Sequence, residues 1–193
     1  MHGPKGVGCL WISDRLLNRV KPSELALIIG GGQQSGFRSG TLNVPGIVGF
    51  GKAAALACGE DVERHVVSAI ASRFEEELQR LCDANSIKVI FNFQNNKRHD
   101  KKILSITFPG ADSETVVMLA GQNGLCISNG AACNSVSSEP SYVLTQSGIS
   151  PNYARNTVRV SFSRYNEYTE AKYSAEILVD AVKEVLSLTG STV

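Results

Sequence analysis

The stretch from Val44 to Leu81 constrains the fold more than any other part of the chain. It is largely helical, and in its second half Val62, Val66, Ile70, Phe74, Leu78 and Leu81 recur at helical spacing with charges between them. The pattern predicts one long amphipathic helix, interrupted near Gly59, whose apolar stripe needs packed elements along its length. His65, next to Val66 on that helix, reads as a surface or boundary residue.

Ahead of this helix, the turn chemistry of Gly3-Pro4-Lys5-Gly6 leads into Val7–Ile12, a short apolar run that reads as a buried strand. A chain that opens on a turn feeding a core strand has little before it to pack against, which suggests a missing N-terminal portion. A second apolar run, Leu25–Ile29, is followed by a glycine-rich segment from Gly30 to Thr41 that no helical or strand period fits. Loops of this kind that lead into helices often hold phosphate, yet neither GxxxxGK[ST] nor GxGxxG is present.

Beyond the helix, Lys88–Phe93 and Ile103–Phe108 read as strands joined by a hairpin loop, the second placing Leu104, Ile106 and Phe108 on one face. Asp112 caps a helix carrying Val116, Val117 and Leu119, and Leu125–Ile127 reads as another short strand in which Cys126 is structural. Pro140 to Gln146 is a short helix ended at Gly148. Thr157–Phe162 alternates so that Val158, Val160 and Phe162 face a core and Arg159 projects from the other face. A C-terminal helix puts Tyr173, Ile177, Ala181 and Val185 on one stripe, against the small sheet. Together these describe an α/β chain: the end of one domain, a connecting helix, and a smaller α/β domain.

With 193 residues, 42% of them apolar, the chain can build a real core. A formal net charge of +1, with basic and acidic residues interspersed, lacks the electrostatic footprint of a nucleic-acid binder, and the short basic cluster Lys97–Lys102 reads as a solvated loop. No apolar run approaches the ~20 residues of a membrane span and no secretory pattern is present, so the expected location is cytoplasmic. Five widely spaced cysteines without a CxxC pair argue against a disulfide framework and against a metal site.

One of them, Cys133, stands in the small polar stretch Ser128–Pro140, which offers little area to bury and reads as a surface loop. A packing thiol normally sits in an apolar run. Residue type alone leaves a reactive thiol and an incidental loop cysteine equally open. Arg159 has the planar fork that clamps carboxylates if its strand face lines a cleft, and is a solvated side chain otherwise.

Five segments in order, His2-Gly-Pro-Lys-Gly-Val-Gly8, Gly30-Gly-Gly-Gln-Gln-Ser-Gly-Phe-Arg-Ser-Gly-Thr41-Leu-Asn43, Ser128-Asn-Gly-Ala-Ala-Cys133, Glu139-Pro-Ser-Tyr-Val-Leu144 and Val158-Arg-Val-Ser-Phe162, resemble the NifS-like cysteine desulfurases. These are pyridoxal 5'-phosphate (PLP) enzymes of the class V aminotransferase type. The resemblance implies a PLP fold-type I enzyme that takes sulfur from L-cysteine, leaves alanine, and passes a persulfide to a sulfur-acceptor protein, as in iron-sulfur cluster assembly. Cys133 matches the persulfide cysteine, Arg159 the arginine that grips the substrate carboxylate, and Thr41 a threonine that reaches the cofactor phosphate of the other subunit of a homodimer. Gln33 and Arg38 match family positions to which residue type assigns no role. The departure from the pattern is that the cofactor-binding lysine of the family would lie just before Met1. Lys5 matches a different lysine.

The resemblance therefore divides the chain into residues 1–52, the end of the PLP-binding large domain; 53–82, the connecting helix; and 83–193, the small C-terminal α/β domain with the cysteine loop. On this view the chain is inactive alone and exposes apolar patches at Val7–Ile12 and Leu25–Ile29. Two other readings are a non-catalytic sulfur-relay or interaction module, and a selenocysteine lyase or related class V enzyme.

Overall fold

The structure is a computed structural model that describes residues 2–58, 61–94, 101–130 and 140–188; the chain divides into two units, Met1–Asp61 and Val62–Val193. The helix interruption at Gly59, most of the basic cluster and Cys133 lie outside the described residues.

The first unit is built of loops and helices: α1 (Asp14–Leu17), α2 (Pro22–Leu25), a 3-10 turn (Gln34–Gly36) and α3 (Val44–Cys58). Asn43 starts α3 by accepting the Gly46 N–H at 3.1 Å. The Gly3–Gly6 turn lies against α3 so closely that a Cβ on Gly49 would meet Pro4 Cγ at 2.6 Å, which is why glycine stands there. The strand expected over Val7–Ile12 does not form. A strand needs a neighbour for its backbone groups, and among the described residues of this unit none is offered.

The second unit carries the hydrophobic core. Its sheet has the order β1 (Ile90–Phe91), β2 (Ile103–Thr107), β4 (Thr157–Ser161), β3 (Ser128–Asn129), with every pairing antiparallel. The register sets Leu104 opposite Val160 and Ile106 opposite Val158, so the buried residues of both strands share one face. Onto that face pack α4 (Asp61–Ala84), α5 (Ser113–Gln122) and α8 (Glu170–Leu188), through Phe74, Leu78, Val116, Leu178 and Val182 among others. Phe74 meets Phe162 edge-on, with centroids 5.4 Å apart. The α/β expectation holds for this unit.

Several details differ from the sequence reading. On α4 the buried stripe includes Val67, Ala71 and Cys82 while Val66 is exposed, a small rotation from the expected face. Burial pushes the Cys82 thiol up to about 12. On α8 the stripe is centred on Ala175, Leu178 and Val182, and Tyr173 points outward. Small alanines let α8 approach α5 closely, so the contact line follows them and not the larger tyrosine. β1 is only two residues long because Phe93 adopts φ +65, the left-handed region that ends a strand. The strand expected over Leu125–Ile127 lies one step later, at Ser128–Asn129, where β4 supplies partners; Leu125 and Ile127 pack on the core, and Cys126 between them is exposed. Cys126 is thus not a core cysteine.

The Asp112 cap is as expected: its carboxylate accepts from the Thr115 N–H at 2.9 Å. The short helix before Gly148 is α6 (Tyr142–Gln146), with Gly148 at φ +91 donating to the Thr145 carbonyl. Next comes α7 (Pro151–Arg155), started by Ser150 and Pro151. On α4, Glu77 is buried and held by Arg73 at 2.5 Å and Arg80 at 2.9 Å; the hydrogen bond from Arg80 keeps its carboxyl below the ordinary carboxylate range.

Candidate active site

The face of the sheet opposite the core is polar, and its composition follows from the two-residue period of β2 and β4. Across it, Ser105 pairs with Arg159, Arg159 with Ser128, and Thr107 with Thr157. Arg159 thus stands on an interior strand of the sheet with a serine on each side. Its Nη2 lies 3.4 Å from Ser128 Oγ, a long contact that orients the guanidinium without committing it. Among the described residues, small neighbours leave the rest of the fork open to a planar anion.

Beside Arg159, two residues along β4 on the same face, runs a part-buried hydrogen-bond chain that sequence patterning does not reveal. Asn92 Nδ2 donates to Thr107 Oγ1 at 2.9 Å and to Ser105 Oγ at 3.1 Å. The Thr107 and Thr157 hydroxyls are 2.7 Å apart, and Thr157 donates to the Tyr153 carbonyl at 2.7 Å. Since Thr157 has one proton and directs it at Tyr153, Thr107 must donate to Thr157. The chain runs one way, from β1 through β2 and β4 to α7, and it fixes the strand that carries Arg159. Its signal in the sequence is only a threonine at the outward position of each strand, which reads as ordinary strand composition.

Cys133 lies outside the described residues, but the two ends of its segment are described. Gly130, whose N–H donates to the Thr157 carbonyl at 2.9 Å, is placed so that a Cβ on it would touch Ser141 Cβ at 3.4 Å. Residues 130 and 141, which flank that segment, therefore lie side by side. Ser141 Oγ is buried there without a hydrogen-bond partner among the described residues.

Thr41 belongs to the first unit, exposed at the end of the glycine-rich loop three residues ahead of α3. The loop uses the left-handed region at Gly32, Gly36 and Gly40, and also at Gln34 and Ser35. Side chains tie it together. Gln33 Oε1 accepts the Gly40 N–H at 3.0 Å, buried Ser39 Oγ accepts the Gly32 N–H at 3.2 Å, and Arg38 Nη1 donates to the Gly40 and Thr41 carbonyls at 3.3 Å. Gln33 and Arg38, which residue type left without a role, hold the shape of the loop that presents Thr41. Among the described residues no group of His, Cys, Asp and Glu is arranged to hold a metal ion, and no helix is long and apolar enough to cross a membrane.

This sheet, with an arginine on its polar face beside the two ends of a cysteine-bearing segment, defines an α/β protein with a candidate anion-clamping site. The family model described as aminotransferase class-V matches residues 1–173, and the chain belongs to that family. It is 35% identical over 189 residues to the cysteine desulfurase IscS of Anaeromyxobacter dehalogenans, covering 96% of this chain and 43% of that protein. The cysteine desulfurase IscS of Rickettsia africae is 33% identical, with 97% of this chain and 43% of that protein covered. Among solved structures, a NifS-like protein matches with TM-score 0.66 at 28% identity, over 84% of this chain and 39% of that one. The NifS-like protein from Rickettsia africae matches with TM-score 0.60 at 27% identity, over 84% and 40%. The chain thus spans less than half the length of the relatives it matches.

Proposed function

We propose that this chain is the part of a PLP-dependent cysteine desulfurase that grips the substrate carboxylate and carries the persulfide, with Cys133 and Arg159 as its working residues. The placement of Arg159 carries this reading. It stands on the polar face of a pinned interior strand, flanked by Ser105 and Ser128, and Ser128 opens the segment that leads to Cys133. A bidentate guanidinium there suits the α-carboxylate of L-cysteine.

The residues present also fit the phosphate end of the cofactor. Thr41 offers an exposed hydroxyl from a loop whose shape is fixed by its own side chains, a suitable donor to a phosphate oxygen. When bound, pyridoxal phosphate supplies an electron sink for charge that develops on the substrate. The contribution of the chain is to orient and to accept sulfur. Arg159 fixes the carboxylate, and Cys133, as thiolate, attacks the substrate sulfur. An S–S bond forms and the C–S bond breaks. The electron pair of the broken bond stays with the substrate carbon, which takes a proton, so alanine leaves and Cys133 holds the persulfide. An unperturbed thiol, with a pKa of about 8.5, is only a few per cent ionised at pH 7, so deprotonation of Cys133 is part of the step. The acceptor is a protein thiol in a sulfur-transfer route such as iron-sulfur cluster assembly. The working protein is a homodimer in which Thr41 serves the neighbouring subunit's cofactor. A cytoplasmic location agrees with the free thiols of Cys9, Cys58, Cys82 and Cys126.

The test is cysteine-dependent sulfide release and PLP absorbance of the chain, alone and with the remaining part of the family fold supplied. Release is expected only in the combined sample and is abolished by Cys133→Ala. Arg159→Ala is expected to lower kcat/KM for L-cysteine on the order of 100-fold, as loss of a charge-assisted clamp does. A combined sample that is inactive, while Cys133 accepts persulfide from a donor, would replace this reading with the sulfur-relay one. Unchanged KM and kcat in Arg159→Ala would refute the role of the arginine.

A further inference from the structure

On the polar face of the sheet, side chains at matching register positions stand in rows across the strands. The Asn92 N–H donates to the Ser105 carbonyl at 2.8 Å, which extends the β1–β2 register by one residue; Ser105 faces Arg159, and Arg159 faces Ser128. One row therefore reads Asn92, Ser105, Arg159, Ser128 across all four strands. In the neighbouring row, Thr107 gives its proton to Thr157 and Thr157 gives its own to the Tyr153 carbonyl, so both hydroxyl protons end on protein acceptors. The Arg159 row is different. Ser105 Oγ accepts from Asn92 Nδ2 at 3.1 Å and Ser128 Oγ from Arg159 Nη2 at 3.4 Å, so each serine has a lone pair engaged and a proton with no acceptor among the described residues. Arg159 has no acceptor atom to offer, and among the described residues no carboxylate pairs with it. The row presents donors only, around one positive charge.

We infer that Ser105 is a specificity-determining contact of this site, donating its proton to the carboxylate that Arg159 grips, and that Asn92 is the positioning residue that fills its acceptor side and turns that proton toward the ligand. The inference rests on the carboxylate reading of Arg159 given above and deepens it. A carboxylate has about four lone-pair sites, of which a bidentate guanidinium fills two, so it has acceptors left for a hydroxyl beside the fork. An amide has one oxygen, and its N–H groups would face a row that holds no acceptor. The row therefore suits a free amino acid and disfavours the same residue in amide or peptide linkage.

The test is NMR of the full 193-residue chain, following the Arg159 Nε–H and the amides of β2 and β4 during titration with L-alanine and with L-alaninamide. L-Alanine carries the carboxylate without the reacting sulfur, so binding is read apart from turnover. Saturable shifts are expected with L-alanine and are lost in Arg159→Ala. Ser105→Ala should raise the Kd for L-alanine on the order of 10-fold and leave the response to L-alaninamide unchanged, while Ser105→Thr, which keeps the hydroxyl, stays within about 2-fold of the parent. Ser105→Cys, of similar shape but a weak donor, should follow Ser105→Ala. Asn92→Ala should weaken L-alanine binding by about 3-fold in the parent and have no further effect in Ser105→Ala, a coupling that a purely structural role would not produce. Amide shifts of α4 and α8 report the fold of each variant. Loss of binding in Arg159→Ala with an unchanged Kd in Ser105→Ala and Ser105→Cys would overturn the inference and keep the arginine reading. Additive effects of Asn92→Ala and Ser105→Ala would overturn the positioning role. No saturable shift in the parent chain would overturn the row as a carboxylate site in this chain, while cysteine-dependent sulfide release would still decide the reaction.

Discussion

Replacing Thr157 with valine keeps the shape of a fully buried side chain and deletes one hydroxyl, which makes it the sharpest probe of the hydrogen-bond chain beside Arg159. That hydroxyl donates to the Tyr153 carbonyl and accepts from Thr107, each at 2.7 Å. The Tyr153 carbonyl is not stranded by the change, because the Asn156 N–H also reaches it at 3.0 Å. The Thr107 O–H is stranded. Two bonds at about 1 kcal/mol each plus one orphaned buried donor, at about 1 kcal/mol or more, give a cost of about 3 kcal/mol or more. Thr107→Val removes the shared bond and the one from Asn92, but Asn92 keeps Ser105 and Thr157 keeps Tyr153, so about 1–2 kcal/mol is expected. The double variant orphans no hydroxyl and loses the shared bond once, so it should cost about 2 kcal/mol less than the sum. Urea unfolding followed by circular dichroism, with unchanged m-values, reads all three. Equal costs for the two single variants, or strict additivity, would refute the directed chain and with it the account of how the Arg159 strand is held.

The Cys82 thiol, raised to about 12 by burial, should resist alkylation at pH 8 while exposed Cys9, Cys58 and Cys126 react; equal labelling of the four would refute its burial. A folded-state pKa above the unfolded one means that the unfolded chain loses this proton first. Cys82 therefore favours folding below pH 9, and that contribution falls at up to about 1.4 kcal/mol per pH unit as pH rises from 9 toward 12; Cys82→Ala should flatten the decline. Ser141→Ala removes a buried hydroxyl that has no partner among the described residues and should leave stability unchanged or raise it by up to about 1 kcal/mol in the same urea assay, whereas a loss of more than that would mean the hydroxyl is engaged.

Much of the second unit was legible before any coordinates. β2 and β4 announce themselves by alternation, and the Asp112 cap and the Gly148 stop are local signals that act within a turn of where they are written. Errors arose where a neighbour decides. The stripe of α8 follows the alanines that allow close approach, and β3 begins where β4 has bonds to offer, not where the apolar run begins. Val7–Ile12 has the composition of a strand and no strand beside it among the described residues.

For the candidate site, the order of Thr41, Cys133 and Arg159 within matching motifs belongs to the sequence, as does the projection of Arg159 away from the core, because period two admits only one other face. The serines and the threonine chain beside Arg159 are the product of register, and the placing of residue 141 beside Gly130 is the product of tertiary packing. Register joins residues dozens of positions apart, and no local preference encodes it. What the amino acids determine is which groups are available and which way a strand turns them; which groups meet is decided only when the sheet closes.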